Sequence, residues 1–407
     1  MPRPRSSSPR TETATLRLTL KQKQEMEREA KARGVPTISD YLRALHDAAC
    51  DQGERSTGST KRDQRITAAT RPALYLRTAH GRVYHGDSLG LLHKDLPTKS
   101  VDLIMTSPPF GLVRKKAYGN EDADEYLQWF RPFAEGFRRV LKDSGSVVID
   151  IGGAWKKGTP TRSLYHFELL VMLCREYGFH LAQEYYWWNP SKLPTPAEWV
   201  NVRRVRVKDA VNCLWWLSLS PWPKASNRRV LQPYSQSMLD LFKNGYTPKL
   251  RPSGHDISSK FGRDNSGAIP PNLLALPNTE SNGAYQRYCK LHGLPQHPAR
   301  FPSGIPAYFV SMLTDQGDMV LDPFGGSCVT GEVCEKLQRR WICCDLEKLY
   351  LDGARARFQD QSQFSNVNGA APQDAIKPYT LYPPLGLRTY DTSPLPRDGG
   401  RRRPSAT

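Results

Sequence analysis

The feature that most constrains the fold of this chain is a series of short apolar runs, each of which ends at a polar or glycine-rich turn. Four such runs are VDLIM from Val101, SVVIDIGG around Asp150, MVLDPFGGS from Met319 and RWICCDLE from Arg340. Helical patterns lie between them, over Glu125 to Leu141, Leu164 to Tyr177 and Thr330 to Gln338. Alternating strands and helices predict an α/β fold, in which ligands bind at the carboxyl ends of the strands. The polar residues at these ends should therefore cluster along one edge of the sheet.

Composition divides the chain into five segments. Residues 1–10 and 359–407 are rich in Pro, Ser, Gly and Arg, which is typical of flexible basic tails. Residues 52–72 have a similar composition and are predicted to be a linker. This linker separates a small patterned module, residues 11–51, from a main domain, residues 73–358.

The chain is strongly basic, with a formal net charge of +18 from 58 Lys and Arg against 40 Asp and Glu. An anionic polymer is a natural partner, although basic tails alone would explain part of this excess. No apolar run approaches the length of a membrane span and no signal peptide follows the basic N-terminus, so we expect a cytoplasmic protein without a membrane partner. The eight cysteines form no C-x-x-C pair and no zinc-spaced cluster, which favours buried thiols and no metal site.

The small module contains a strand pattern followed by two helical patterns. In TLRLTL, leucines alternate with Thr15, Arg17 and Thr19, and helices are predicted from Lys21 to Arg33 and from Thr37 onward. A strand and two helices of this size cannot bury a core alone. The pattern resembles the ribbon-helix-helix family, which implies a homodimer whose paired strands face the bases of the DNA major groove. The alternative is an arm that packs on the rest of the chain.

The segment VLDPFGGS carries a turn suited to a nucleotide-like ligand. Its candidate residues are Asp322, Phe324, Gly325, Gly326 and Ser327. Adjacent glycines allow the backbone to approach a ligand closely at the N-terminus of a helix, although a tight connection is the alternative. Asp345 follows Gly326 by 19 residues at the end of the next predicted strand, where an acid commonly binds a ribose. The absence of G-x-G-x-x-G, and of a lysine after the glycines, argues against dinucleotide and P-loop folds.

A second unusual turn follows the strand VDLIM, which runs directly into Thr106, Ser107, Pro108, Pro109 and Phe110. Two consecutive prolines remove two backbone donors and hold an extended chain rigid, while their carbonyl groups stay free to accept hydrogen bonds. The sequence therefore predicts a fixed acceptor edge with an aromatic ring beside it.

These two turns resemble motifs of the DNA amino-methyltransferases: TSPPF is similar to their catalytic motif and DPFGGS to their S-adenosylmethionine loop. The catalytic motif comes first, as in the beta group of that superfamily, which implies a Rossmann-like methyltransferase sheet with a circularly permuted motif order. Longer strings, such as TSPPFGLVRKKAYGN and NPSKLPTPAEWVN, resemble the cytosine-N4 modification methylases of that group over residues 84–358. The resemblance implies S-adenosyl-L-methionine as cofactor, double-stranded DNA as substrate and CAGCTG as target. It also implies a cognate restriction endonuclease as a genetic, not physical, partner.

The resemblance also implies roles for the candidate catalytic residues. The amino group of cytosine is a poor nucleophile because its lone pair is shared with the ring, and acceptors at Ser107 Oγ and the Pro108 carbonyl would release that lone pair. Phe110 would stack on a base turned out of the duplex, unless it is a core aromatic. Asp150 would accept a proton or hold cytosine N3, unless it caps the turn at residues 152–153.

Asp87 in HGDSL would lie near the cofactor adenine, and Thr106 would be one of the cofactor-binding residues. Residues 180–305 are expected to contain the target-recognition region, where YYWWNP and LWWLSLS predict an antiparallel strand pair. The basic loops there would contact guanine or phosphates, unless they form a solvated surface.

The sequence also bears on which base atom would be methylated. The chain has no Pro-Cys pair, which argues against methylation at cytosine C5, and Ser107 before the prolines favours cytosine N4 over adenine N6. An adenine-N6 methyltransferase and a DNA-binding regulator with an idle methyltransferase domain are the alternatives.

Overall fold

The computed structural model describes residues 20–32, 37, 64–111, 125–245, 262–279 and 283–359. The chain divides into two compact units, residues 1–64 and 65–407. The first unit contains the helix Leu20–Ala32, which confirms the first predicted helix of the small module to within one residue at each end. Leu20 starts this helix and so does not end the predicted strand, because the Lys and Gln residues after it favour helix. The rest of that strand, and the second predicted helix beyond Thr37, lie outside the described residues.

The last residues of the predicted linker, from Arg65 onward, are part of the second unit. Arg65 Nη1 donates to the backbone oxygen of Trp129 at 2.9 Å. Lys94 Nζ donates to the backbone oxygens of Thr67 at 3.1 Å and Ala69 at 2.5 Å, and Ala69 is buried. The second unit therefore begins at Arg65, eight residues before the predicted start of the main domain.

The described part of the second unit is built on a mixed sheet of nine strands. They are β1 (Ala73–Arg77), β2 (Gly81–His85), β3 (Val101–Thr106), β4 (Leu141–Ile151), β5 (His180–Trp188), β6 (Val211–Ser218), β7 (Leu273–Ala275), β8 (Met319–Asp322) and β9 (Arg340–Asp345). Their order across the sheet is β1-β2-β9-β8-β3-β4-β6-β5-β7. The block β2-β9-β8-β3-β4 is parallel, whereas β1 and β6 run antiparallel to their neighbours. The predicted α/β fold class is confirmed.

Helices cover both faces of the parallel block. The helices and helical turns of this unit with assigned bounds are Ser88–Gly90, Leu91–Asp95 (π), Tyr126–Val140, Tyr165–Arg175, Glu198–Val202 (π), Asn227–Val230 (3₁₀), Gln236–Asn244, Ala284–Leu291, Gly304–Leu313, Val329–Lys336, Lys348–Ala354 and Arg355–Arg357 (3₁₀). All six residues of β3 are buried, with Ile104 in the core on one face and Leu103 and Met105 in the core on the other. This is why VDLIM reads as a continuous apolar run and not as an alternating one. Among the described residues, no helix has the length and apolar character needed to cross a membrane.

The topology sets the position of the candidate site. Because β9, β8, β3 and β4 are parallel neighbours, their carboxyl ends, which carry the predicted polar turns, meet along one edge of the sheet. The predicted antiparallel pair YYWW and LWWL is confirmed as β5 and β6. Since β6 also pairs with β4, Leu214 lies opposite Asp150, and the start of β6 borders the same edge.

Candidate active site

Two adjoining cavities lie at this edge of the sheet. The first, called here the glycine-loop cavity, has a volume of about 390 Å³, and eleven of the thirteen predicted site residues line it, all except Thr106 and Asp150. The second, called here the Asp150 cavity, has a volume of about 440 Å³. Ser107 and Phe110 belong to the walls of both cavities. Ser107 of the predicted acceptor edge, together with Phe110, therefore lies at the boundary between the two cavities.

Asp322 connects the end of β3 to the helix after the glycine loop through hydrogen bonds. Its Oδ1 accepts a hydrogen bond from Thr106 Oγ1 at 2.7 Å, and its Oδ2 accepts one from Thr330 Oγ1 at 2.7 Å. The carboxyl is almost fully buried, and this burial raises its pKa to about 6. Thr106 is fully buried and lines neither cavity, so any part it has in ligand binding acts through Asp322.

Neighbouring side chains lie close to both glycines of the loop. Gly326 has a φ of +50°, and a Cβ there would lie 3.0 Å from Nε2 of His297. A Cβ on Gly325 would lie 3.0 Å from the Cβ of Cys343. A larger residue at Gly325 would therefore have to displace the neighbouring side chain, and one at Gly326 would in addition strain the backbone.

Asp345 and Asp87 combine a structural contact with a place in the cavity wall. Asp345 Oδ2 accepts from the backbone N–H of Gly326 at 2.7 Å, and its Oδ1 accepts from that of Glu347 at 2.9 Å. Burial raises the pKa of Asp345. Asp87 Oδ1 accepts from the backbone N–H of Leu89 at 2.9 Å and caps the short helix there. Each carboxylate oxygen has further lone pairs, so both acids retain acceptor capacity toward a ligand.

Sequence reasoning missed several residues of the glycine-loop cavity. Glu347 and His297 line it, as do Arg65 and the aromatic residues Trp129 and Phe133. The Trp129 and Phe133 rings lie 5.8 and 4.9 Å from that of Phe324, and the Arg65 guanidinium lies 6.0 and 5.8 Å from the two rings. The four-residue spacing of Trp129 and Phe133 on one helix was a usable signal, whereas nothing in the linker composition marked Arg65.

His297 is held in its neutral form. Burial, followed by the nearby charge of Arg300, lowers its pKa to about 4. Its Nδ1 accepts from the backbone N–H of Ala299 at 3.3 Å, which assigns the ring hydrogen to Nε2, the atom that faces Gly326. The segment HPARFP therefore contributes to the wall of the glycine-loop cavity.

Ser107 and Asp150 form the polar contact at the boundary of the cavities. Ser107 Oγ donates to Asp150 Oδ2 at 3.1 Å, and Asn212 Nδ2 donates to Asp150 Oδ1 at 3.1 Å. Only 2% of Asp150 is exposed, and burial raises its pKa to about 6, against the opposing effect of these two hydrogen bonds. The carboxylate thus contacts Ser107 and Asn212 and does not cap the turn at Gly152.

Phe110 packs against that turn instead. A Cβ on Gly152 would lie 2.6 Å from Cε2 of Phe110, so the ring and the glycine are in direct contact. The ring is half-buried and faces both cavities, which makes it more than a core aromatic. Asn212 was missed because its position depends on the pairing of β6 with β4.

The arrangement suits the transfer of a group from a ligand in one cavity to an amine or hydroxyl in the other. A family model described as "DNA methylase" matches residues 101–356, which include the acceptor edge, Asp150 and the glycine loop. The chain belongs to this DNA methylase family.

Relatives of this DNA methylase support the assignment over most of their length. The chain is 51% identical to the type II methyltransferase M.PvuII of Proteus hauseri over 288 residues, 70% of this chain and 85% of the relative. It is 25% identical to M.BglII of Bacillus subtilis over 285 residues, 69% of each chain. A solved structure of the PvuII DNA methyltransferase (cytosine-N4-specific) aligns with a TM-score of 0.58 and 45% identity, covering 72% of this chain and 90% of that one.

Charged residues, among them Arg162 and Asp209, also line the Asp150 cavity in this DNA methylase. Arg162 Nη1 donates to Asp209 Oδ1 at 2.9 Å, and Arg206 Nη2 donates to the same oxygen at 3.2 Å. Lys192 also lines this cavity. The sequence analysis gave Arg206 and Asp209 only as part of the basic loop NVRRVRVKD and did not single out Arg162, because the convergence of these residues depends on the fold.

Proposed function

We propose that this protein transfers the methyl group of S-adenosyl-L-methionine to the exocyclic N4 of a cytosine in duplex DNA. The observation that carries the proposal is the Ser107–Asp150 hydrogen bond at the boundary of the two cavities. This supports the proposal because a carboxylate beside Ser107 could accept a proton from a base bound in one cavity while a ligand occupies the other. The choice of N4 is supported by the PvuII methyltransferase, which is described as cytosine-N4-specific.

The residues of the glycine-loop cavity fit this cofactor. Asp345 and Glu347 offer carboxylate oxygens to ribose hydroxyls, and the glycine loop lets the backbone approach closely. Trp129 and Phe133 offer flat apolar surface to an adenine ring. When bound, S-adenosylmethionine supplies a methyl group made electrophilic by a positively charged sulfur.

The acceptor edge would activate the base amine. One N–H of the amine would donate to Ser107 Oγ and the other to the carbonyl oxygen of Pro108, which draws the nitrogen toward a tetrahedral shape and frees its lone pair. Pro108 is buried and the rings of Pro108 and Pro109 fix the backbone φ, so the edge cannot relax away from the amine.

Asp150 would take up the proton that the amine must lose. As N4 gains the methyl group, its proton passes to Ser107 Oγ and the hydroxyl proton of Ser107 passes to Asp150 Oδ2. A carboxylate whose pKa burial raises to about 6 is a stronger base than an exposed aspartate. Asn212 holds the other oxygen and keeps the carboxylate oriented toward Ser107.

The Asp150 cavity would receive the target base, since an atom buried in a duplex is reached only when its base leaves the stack. The loop after Lys192 borders this cavity through Thr195 and Asp209, and it exposes 70% of Val202 and 85% of Val207 beside the arginines of NVRRVRVKD. We assign target recognition to this region within residues 180–305. We also propose CAGCTG as target and a cognate restriction endonuclease encoded alongside.

We further propose that the small N-terminal module is a ribbon-helix-helix unit that pairs two copies of the chain. The helix Leu20–Ala32, with Met26 and Ala30 on its less exposed side, supports this proposal. Paired strands would then place Arg17 against DNA bases.

The proposed activity is tested by incubating plasmid DNA with the protein and S-adenosylmethionine, digesting the DNA to nucleosides and identifying the methylated product by mass spectrometry. We expect N4-methylcytosine. N6-methyladenine as the main product would contradict the assigned base, and no methylated nucleoside would contradict the activity.

A further inference from the structure

The Asp150 cavity contains a lysine that the mechanism above does not use. Lys192 follows β5, where its backbone N–H donates to the carbonyl oxygen of Asn189 at 3.2 Å. The backbone N–H of Ser191 donates to Asn189 Oδ1 at 3.1 Å, and Lys208 Nζ donates to the Lys192 carbonyl oxygen at 3.1 Å. These contacts fix the backbone from which the Lys192 side chain enters the cavity wall.

The ammonium group of Lys192 is attracted by two carboxylates but pairs with neither. Within the described ranges, its ammonium group makes no hydrogen bond or ion pair, although the side chain is half-buried. The two nearby carboxylates have other partners: Asp150 accepts from Ser107 and Asn212, and Asp209 accepts from two arginines. Burial, with the repulsion of Arg162, lowers the pKa of Lys192 against the attraction of Asp209 and Asp150. A partly desolvated ammonium without a partner is costly unless a ligand supplies an acceptor.

The flipped base presents acceptors that Asp150 cannot satisfy. In cytosine, ring atom N3 lies between the carbon that carries the N4 amine and the carbon that carries the carbonyl oxygen O2. Both N3 and O2 accept hydrogen bonds. An ionised Asp150 accepts only, and the amide of Asn212 already donates to Asp150. Adenine has a similar amine and ring nitrogen but a C–H in place of O2. A donor directed at O2 therefore distinguishes the two bases.

We infer that Lys192 donates to O2 of the flipped cytosine and makes this site select cytosine over adenine. The inference rests on the proposed function. With cytosine in place, the ammonium gains a charge-assisted hydrogen bond, whereas an adenine would leave it facing a C–H group. Lys192 is thus a specificity-determining residue, while Ser107 and Asp150 handle the amine.

The test compares removal of the lysine with removal of the oxygen. Single-turnover methylation is measured on a duplex that carries the site the wild-type enzyme methylates in plasmid DNA. The target base is either cytosine or 2-aminopyridine. The 2-aminopyridine is attached to the sugar so that its amine and ring nitrogen take the positions of cytosine N4 and N3, and it has no oxygen at the position of O2. Lys192→Met removes the charge and keeps the length. Lys192→Arg keeps a cationic donor, and Lys157→Met removes an exposed charge two residues from Trp155 of the cavity wall.

We expect Lys192→Met to lower the rate on cytosine by roughly 10- to 100-fold, as for one hydrogen bond to a charged group. Loss of O2 should lower the wild-type rate by a similar factor and leave the Lys192→Met rate nearly unchanged, because the two changes remove the same contact. Lys192→Arg should recover part of the rate, and Lys157→Met should behave as wild type on both bases.

Equal sensitivity of wild type and Lys192→Met to the loss of O2 would overturn the inference. If the rate of Lys192→Met falls equally on both bases and the salt dependence of DNA affinity also weakens, Lys192 binds a phosphate instead. Failure of the proposed function is seen separately, since the wild type alone would then form no N4-methylcytosine in plasmid DNA.

Discussion

The hydroxyl of Ser107 donates a hydrogen bond to Oδ2 of Asp150 across 3.1 Å, although 42 residues separate them in the chain. The contact forms because β3 and β4 are parallel neighbours whose carboxyl ends meet, with Thr106 paired to Ile149. Ser107 belongs to the walls of both cavities, so this hydrogen bond links the proposed cofactor space to the proposed base space.

Replacing Ser107 should affect the reaction more than binding. Ser107→Ala removes the acceptor that acts on the reacting amine, and we expect the single-turnover rate of methyl transfer to fall roughly 100-fold. The affinity for S-adenosylmethionine, measured by calorimetry, should change little. Ser100→Ala, which removes a hydroxyl that donates to the Pro97 carbonyl at an exposed site, is the matched control. An unchanged rate in Ser107→Ala would remove this residue from the mechanism.

Asp345 should contribute to cofactor affinity. Asp345→Ala removes an acceptor for the ribose hydroxyls and two hydrogen bonds that shape the loop, so binding of S-adenosylmethionine should weaken by about 1–3 kcal/mol. Asp143→Ala, which removes an exposed acid paired with Lys99, should bind as wild type. Equal affinity of Asp345→Ala and wild type in calorimetry would refute the assignment.

Asp322 should make stability depend on pH in an unusual direction. Burial raises its pKa in the folded state to about 6, above the value near 4 expected in the unfolded chain. The folded state therefore holds this proton more tightly, and the resulting stabilisation is complete below pH about 4 and is lost as the pH rises through about 6. The free energy of unfolding of wild type, minus that of Asp322→Asn, should fall between pH 4 and pH 6 in denaturant titrations. A difference independent of pH would contradict the raised pKa.

Much of this arrangement could be predicted because it depends on local sequence. MVLD and RWICCD form strands with the predicted ends, and VDLIM forms a strand that extends one residue further, to Thr106. The residues that follow these strands, including Gly326, reach the cavity because parallel strands end together. The Thr106–Asp322 hydrogen bond joins residues 216 positions apart, and Asn212 reaches Asp150 through an antiparallel strand. Such contacts depend on strand order, which no local pattern encodes. Arg65 was missed because its segment has the composition of a linker, yet its guanidinium packs over aromatic rings.

The N-terminal module should control the oligomeric state. If TLRLTL pairs with its copy, the full chain should be a dimer in sedimentation experiments, and a chain that starts at Gln64 should be a monomer with intact cofactor affinity. Arg17→Ala should weaken binding to one particular DNA sequence without slowing methylation. The same oligomeric state for both chains, with no footprint outside methylation sites, would leave the segment as a packing arm.

The central claim is that Asp150 takes up the proton that leaves the base amine through Ser107. The most direct measurement is the single-turnover rate of methyl transfer against pH for the wild type and Asp150→Asn. Because burial raises the pKa of Asp150 to about 6, the wild-type rate should rise with pH through that value and then level off, as the carboxylate becomes ionised. Asp150→Asn should be roughly 100-fold slower or more and should lack this rise. A variant that retains the wild-type rise near pH 6 would contradict the claim.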